Sequence, residues 1–532
     1  MIVVSDVSKG FAGRTLFRDV NVTFSAGRNY GLSGPNGAGK TTFMRILIGD
    51  EPADKGNVTL PERTGWLRQD QSAFDDKSVL EAVIMGNKRL AAARAEQEVL
   101  YAKEDFTDDD GMRLADLESI VAEENGYTAE SDAAVLLAGL GVSEEEHARS
   151  MGEIQGGIKV RVLLAQALFG EPEALLLDEP TNALDMESII WLEDFLIRYD
   201  GALLVISHDR RFLNTVCDHI ADIDYETIIT YTGNYDDMVR TKAGMRGQVE
   251  RDKAQREKKI AQLKDFIQRF GAGTRASQTR SRARQITKLR PDEVKRSNIA
   301  RPFIRFDVGE ENSGRDPIEV RDLSHAYGDH VVFSGFNTMV QRGDKIAVVG
   351  RNGIGKSTLM RALLNPDNEK AGHVKWGHNV RVGSMGHDHR EQIEDGTEVF
   401  KWLFSQKYDA DENTVRAILG RMLFSGEDGF KPTTTLSGGE GARLVISKLI
   451  LLQHNVLLLD EPTDHLDLEA VSALRDAIAA FQGTVIYVTH DRDLASVANR
   501  IWTYPRTGEL IDFDGGLEAY LAWFEAHYRQ TA

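Results

Sequence analysis

An α/β fold built from two similar halves in tandem is predicted by two features: an internal repeat, and short apolar runs ending at glycine-rich loops or carboxylates. Gly34-Pro35-Asn36-Gly37-Ala38-Gly39-Lys40-Thr41-Thr42 returns as Gly350-Arg351-Asn352-Gly353-Ile354-Gly355-Lys356-Ser357-Thr358. Leu175-Leu176-Leu177-Asp178-Glu179-Pro180-Thr181 returns as Leu457-Leu458-Leu459-Asp460-Glu461-Pro462-Thr463. Ser207-His208-Asp209-Arg210 returns as Thr489-His490-Asp491-Arg492. Asp178 and His208 lie 30 residues apart, as do Asp460 and His490.

Each G-x-x-x-x-G-K-[ST] loop is expected to follow a buried strand and open a helix. Asn29-Tyr30-Gly31-Leu32-Ser33 and Lys345-Ile346-Ala347-Val348-Val349 supply that context, the second more cleanly. Glycines let the backbone wrap close, so that its N–H groups face phosphate oxygens. Lys40 and Lys356 would neutralise the β- and γ-phosphates of ATP, and Thr41 and Ser357 would ligate Mg²⁺. Asp178 and Asp460 end apolar runs, where a carboxylate can orient Mg²⁺ through water. Glu179 and Glu461 follow, placed to polarise the attacking water. His208 and His490 follow the apolar runs Ala202–Ile206 and Thr484–Val488 and are expected to contact the γ-phosphate. A lone carboxylate or histidine there would be a strand end or a packing residue; recurrence at identical spacing favours the phosphate role.

The halves differ in length between loop and carboxylate. Lys40 to Asp178 spans 138 residues and Lys356 to Asp460 only 104, an excess of about 34 in the first half. The excess is expected at about 85–141, a helix-rich stretch with an acidic run from Glu104 to Asp110. It reads either as a solvated helical excursion or as a protruding arm that touches a partner.

Charge is segregated as well. The chain carries a net −19, but residues 240–301 hold 19 Lys/Arg against 6 Asp/Glu, a local +13 that leaves −32 elsewhere. Such a segment suits phosphate-rich partners. Its apolar positions Val249, Ile260, Leu263, Ile267 and Phe270 recur at helical steps, Gly271-Ala272-Gly273-Thr274 breaks them, and Arg275 to Arg290 resumes. Two antiparallel helices are predicted, and one of about 30 residues would reach roughly 45 Å. A plain charged spacer is the alternative, although spacers usually mix charges to form pairs. No apolar run approaches the roughly 18–20 residues that cross a bilayer. Met1 to Asp6 lacks signal-peptide character, and Cys217, the single cysteine, reads as a packing residue. A cytoplasmic protein without disulfides is expected.

Leu436-Ser437-Gly438-Gly439-Glu440 resembles the signature of ABC ATPases. That family pairs two domains head to tail, each signature capping ATP on the other domain's phosphate loop. With both domains in one chain, the resemblance implies a monomer whose two ATP sites form intramolecularly. Two domains joined by a basic helical linker, with an insertion in the first, resemble the ABC-F family of translation factors over essentially the whole chain. Met151-Gly152-Glu153, Arg161 to Phe169, Ser207 to Leu213, Gly233-Asn234-Tyr235 and Arg282-Ala283-Arg284-Gln285-Ile286 carry the likeness, which is strongest to the YbiT-type branch. It implies a first domain over 1–239, a linker over 240–301 and a second domain over 302–532. It also implies binding at the ribosomal tRNA exit site, with Arg280, Arg282 and Arg284 facing rRNA and the peptidyl-site tRNA. Phe11 and Tyr327 occupy the adenine-stacking positions, unless they are core aromatics, and Gln69 that of the glutamine loop, near Mg²⁺.

Two departures fall on one composite site. The first signature reads Ile154-Gln155-Gly156-Gly157-Ile158, with glutamine in place of serine, and His387 stands where the second glutamine belongs. The site using Lys40, Gln69, Glu179, His208 and Ser437-Gly438-Gly439 is intact, so unequal sites are expected; the bland alternative is that the loose signature has no consequence. A DNA-associated ABC ATPase of repair or recombination type is the competing function. Long coiled coils or zinc-binding cysteines would favour it, and only one cysteine is present.

Overall fold

The computed structural model describes residues 1–11, 14–68, 70, 72–182, 184–244, 260, 261, 263, 301–328, 330–364, 373–506 and 509–528. Gln69, Arg280, Arg282, Arg284 and the two expected linker helices lie outside the described residues, three isolated linker positions apart.

The first half begins with β1 (Ile2–Phe11), β2 (Arg14–Phe24), β3 (Arg28–Ser33), α1 (Lys40–Ile48), β4 (Lys55–Thr59) and β5 (Thr64–Trp66). Six helices follow: α2 (Val79–Ile84), α3 (Lys88–Tyr101), α4 (Asp108–Glu123), α5 (Ala129–Gly139), α6 (Glu144–His147) and α7 (Gly156–Leu168). The half closes with β6 (Ala174–Asp178), α8 (Met186–Ile197), β7 (Ala202–Ile206), α9 (Arg210–Val216), β8 (His219–Asp224), β9 (Thr227–Thr232) and α10 (residues 235–244). The second half opens with β10 (Ile318–Tyr327), β11 (His330–Val340), β12 (Lys345–Val349), α11 (Lys356–Leu364), β13 (His373–Trp376) and β14 (Val382–Met385). Then come α12 (Val399–Ser405), α13 (Glu412–Arg421), α14 (Gly438–Leu452), β15 (Val456–Asp460), α15 (Leu468–Ala480) and β16 (Thr484–Val488). The last elements are α16 (Arg492–Ala495), β17 (Arg500–Arg506), β18 (Glu509–Asp514) and α17 (Leu517–Tyr528).

The repeat in sequence is a repeat in topology. The main sheets run β5-β6-β7-β3-β8-β9 and β14-β15-β16-β12-β17-β18, and a small antiparallel sheet accompanies each, β2-β1-β4 and β11-β10-β13. Every main-sheet pair is parallel except the edge pairs β8–β9 and β17–β18. Parallel strands are covered on both faces, which is why their sequences are apolar throughout. Alternation then assigns each side chain to a layer. Leu175 and Leu177 of β6 join the helical core, while Ala174 and Leu176 face α1 and the small sheet. In β15, Leu457 and Leu459 point to the helical side and Val456 and Leu458 to the other. Trp502 on β17 has no exposed surface and packs edge-on against Phe336 at 5.2 Å. Trp502→Ala is expected to destabilise the second half by about 3–5 kcal/mol, read as a lower urea midpoint.

The extra residues of the first half form α3 and α4, where the second half runs directly from α12 to α13. Asn87 and Thr107 cap these helices, the latter in a reciprocal box with Asp110. The pair is antiparallel: Arg89 reaches Glu123 and Glu124, Gln97 reaches Glu118 and Arg113 reaches Glu96. Leu90, Ala93 and Leu100 pack with Leu117 and Val121, and Val99, Tyr101, Phe106 and Met112 are exposed.

Helix α10 crosses residue 239 and leads toward the basic segment. Its Lys242 is buried and donates to both Asp222 and Asp224 of β8, whose side chains have no exposed surface. Cys217 ends α9 and is buried, as a packing residue should be.

Candidate active site

Both phosphate loops sit between a central strand and a helix, β3 to α1 and β12 to α11, as the spacing predicts. The Lys40 ammonium donates to the Gly34 and Pro35 carbonyls at 2.7 and 3.4 Å, and Lys356 to the Gly350 and Arg351 carbonyls at 2.8 and 3.1 Å. Each ammonium thus lies folded into its own loop. Burial holds both lysines below their ordinary range, opposed by nearby carboxylates. Those carboxylates come from both halves: Glu179, Asp467, Glu469 and Asp178 for Lys40, and Glu461, Asp185 and Asp460 for Lys356. Gly355 shows why the loop excludes side chains: its φ is +115°, and a Cβ there would lie 2.0 Å from Val332.

The Thr41 hydroxyl lies near enough to Asp178, and the Ser357 hydroxyl to Asp460, to favour the charge of each carboxylate, at the ends of β6 and β15. Asp460 Oδ1 is buried without a partner. A hydroxyl and a carboxylate at each site are the oxygen donors that suit Mg²⁺, which takes few protein ligands and completes its shell with phosphate and water. Among the described residues no group of three or more His, Cys, Asp or Glu side chains could hold a metal ion.

Glu179 and Glu461 follow these carboxylates in left-handed backbone, with φ of +51° and +48°. Non-glycine residues hold that conformation only where surroundings impose it. The constraint is visible: the backbone N–H of His208 donates to Glu179 Oε2 at 3.1 Å, and that of His490 to Glu461 Oε2 at 3.3 Å. His208 Nε2 stands 3.2 Å from Glu179 Oε1, and His490 Nε2 stands 3.3 Å from Glu461 Oε1. Burial, then the neighbouring Asp178, pushes the Glu179 carboxyl up to about 8. Burial and Asp464 push Glu461 up to about 8 as well. Burial lowers His208 to about 3 and holds His490 well below its ordinary value, so both rings are neutral. A raised carboxyl is protonated below its shifted value and becomes a competent base above it. The kcat/KM for ATP is therefore expected to rise with pH toward about 8 and then level, in a steady-state pH profile. By the same sign, the arrangement that buries these two carboxyls is expected to lose stability as pH rises from 4.5 to about 8.

The two halves complete one another's sites. Asn36 Nδ2 donates to the His465 carbonyl at 3.3 Å, and a Cβ on Gly439 would lie 2.6 Å from that carbonyl and 3.3 Å from Asn36. Ser437 caps α14 in a reciprocal box with Glu440. Its counterpart Gln155 caps α7 with no side-chain hydrogen bond, and a Cβ on Gly157 would meet nothing within 4 Å. Arg351 reaches across to Glu187 at 3.1 Å. Between the halves lies a cavity of about 1060 Å³, lined among others by Asn36, Glu179, Lys356, Ser437, Glu461 and His490. His387 also lines it, 3.7 Å from Asp464 and near enough to Asp460 to stabilise its charge. The first half has Asn182 in the position of Asp464.

Phe11 and Tyr327 end β1 and β10 with 49% and 56% of their surface exposed, so neither is a core aromatic. Lys9 lies over the Phe11 ring, and the Tyr327 hydroxyl is 3.4 Å from the Thr358 hydroxyl. Sequence reasoning missed His465, Asp467 and Glu469 at the first site and Asp185 at the second. The repeat Leu184-Asp185 and Leu466-Asp467, seven residues after Asp178 and Asp460, was the available signal.

Two phosphate loops, each facing the other half's glycine signature, with paired carboxylates and a histidine beside each, define a tandem ABC-type ATPase. Residues 17–182 and 333–464 match a family described as ABC transporter, and residues 221–306 match a second family of that description. The chain is 44% identical over 526 residues to Probable ATP-binding protein YbiT of Escherichia coli O157:H7, covering 98% of this chain and 99% of that one. It is 33% identical over 540 residues to ABC transporter F family member 2 of Arabidopsis thaliana, covering 97% and 78% of the two chains. A solved structure titled RNase-L Inhibitor shares the fold, with a TM-score of 0.62 at 19% identity over 98% of this chain and 92% of that one. The chain belongs to the ABC-F family, in its YbiT-like branch, and hydrolyses ATP.

Proposed function

We propose that this ABC-F ATPase closes on ATP and Mg²⁺, binds the ribosome at the tRNA exit site in that closed form, modulates translation, and is released by hydrolysis. The observation that carries this reading is the charge segregation: a +13 segment between two ATPase halves, on a chain otherwise at −32. Phosphate contacts give strong, salt-dependent binding without sequence readout, which suits rRNA and peptidyl-site tRNA. Arg280, Arg282 and Arg284 are the contacts we assign, and the α3–α4 pair is a second arm toward a partner. Among the described residues no helix is long and apolar enough to cross a membrane, and we place the protein in the cytoplasm.

At each site Thr41 or Ser357, with Asp178 or Asp460, would hold Mg²⁺, which neutralises charge on the phosphates. Glu179 and Glu461 take the role of polarising the attacking water, and His208 and His490 that of contacting the γ-phosphate. Phe11 and Tyr327 stack adenine, and Gln69 completes the first site. The site formed by Lys356 and Gln155 is the slower one, in keeping with its uncapped signature and open Gly157. Single Glu179→Gln and Glu461→Gln variants should therefore lose turnover unequally, the first losing more; equal losses would remove this part.

Sedimentation of a Glu179→Gln, Glu461→Gln variant with 70S ribosomes tests the whole reading. Co-sedimentation that requires ATP, and that weakens when Arg280, Arg282 and Arg284 are neutralised, is the expected result. No binding with or without ATP would sink it and favour a DNA-associated role.

A further inference from the structure

The segments that follow His208 and His490 meet at the boundary between the halves, where α9 packs on α16. Asp209 and Asp491 cap these short helices. Arg492, 4% exposed, hydrogen-bonds Glu193 on α8 of the first half, itself 5% exposed. Burial pushes the Asp209 carboxyl up, and the Arg492 guanidinium is the group that most strongly pulls it back. Asp491 and Asp493 also face this cluster. Asp209 Oδ1 accepts from the Phe212 N–H at 2.9 Å, but its Oδ2 is buried without a hydrogen-bond partner. Arg492 Nε is buried without one as well. A donor and an acceptor on opposite halves thus share one buried cluster, not in hydrogen-bond contact and each unsatisfied.

The link runs in one direction. Arg210, which matches Arg492 in the repeat, binds Asp236 of its own half at 2.8 Å. The position matching Glu193 is Arg475, which holds Asp493 of its own half at 3.0 Å. At this repeat position only the second half's arginine crosses, because the receiving position is Glu193 in the first half and Arg475 in the second; the neighbouring Arg211 of the first half crosses instead to Glu518 at 3.0 Å.

We propose that Arg492 is a positioning residue acting in trans: clamped by Glu193, it engages Asp209 as the halves tighten and so fixes His208 for hydrolysis at the first site. Buried, charge-assisted hydrogen bonds orient strongly, and an unsatisfied buried pair favours whatever motion joins it. The inference rests on the γ-phosphate role proposed for His208 and not on ribosome binding.

Steady-state ATP hydrolysis tests it. Arg492→Met is expected to lower kcat about tenfold with KM within about twofold, and Glu193→Gln, which keeps the volume, to lower kcat about threefold. Asp209→Asn should also be slow, and combining it with Arg492→Met should be no slower than the worse single change. Glu193→Arg with Arg492→Glu restores an ion pair of reversed polarity but sets a carboxylate against Asp209. That chain should melt like the native protein and remain slow. Losses that multiply in the Asp209→Asn, Arg492→Met chain, or recovery of kcat in the reversed pair, would overturn the proposal and leave Arg492 a structural interface residue. His208→Ala is measured alongside: native turnover there would overturn it by a different route, through failure of the histidine's own role.

Discussion

Replacing Glu179 and Glu461 together by glutamine is expected to lower ATP turnover by about 10²–10⁴-fold while ATP still binds, the range typical of a lost general base. Phosphate release and nucleotide binding, measured on the same chain, separate the two quantities. Each carboxylate is held by the backbone N–H of the histidine that follows the next strand. Glutamine keeps an oxygen for that bond and nearly the same volume, so the loss reports chemistry and not folding. It cannot take up a proton from water, and the closed, ATP-bound arrangement should accumulate. Turnover within a few-fold of native would show that the base lies elsewhere.

Gly439→Ala should be the second most damaging single change in the interface, with Gly157→Ala as its natural comparison. A methyl group at Gly439 would sit 2.6 Å from the His465 carbonyl, backbone that cannot swing aside, and 3.3 Å from Asn36 of the first phosphate loop. The signature would be forced away from the loop it faces, and turnover should fall by about tenfold or more, since small misplacements at a reacting site cost heavily. The same change at Gly157 meets nothing within 4 Å and should leave turnover within about twofold of native. Equal effects at the two glycines would contradict the unequal packing of the two signatures.

Much of this was legible in the sequence because it is local. An apolar run flanked by a glycine loop or a carboxylate is a buried parallel strand, and β3, β6, β7, β12, β15 and β16 stand where the runs placed them. The candidate site residues were legible because the chain states most of them twice. What the sequence hid are relations between distant positions. Arg492 and Glu193 are 299 residues apart, and Asn36 and His465 are 429 apart. No periodicity encodes such a meeting, and arginines 210 and 492 read alike although one turns inward and the other crosses. The left-handed backbone at Glu179 and Glu461 was equally silent, since glutamate carries no preference for it and the surrounding strands impose it. The insertion declared its helical character by composition, but its antiparallel ion pairs emerge only once α3 and α4 face each other.

Lys242, locked between Asp222 and Asp224, has a mechanical meaning. A buried cation gripped by two buried carboxylates is costly to break from one side, and here it fastens α10 to the central sheet one strand from the first phosphate loop. The root of the basic segment is thus welded rather than hinged. Any rotation of the first half is delivered to residue 244 without slack.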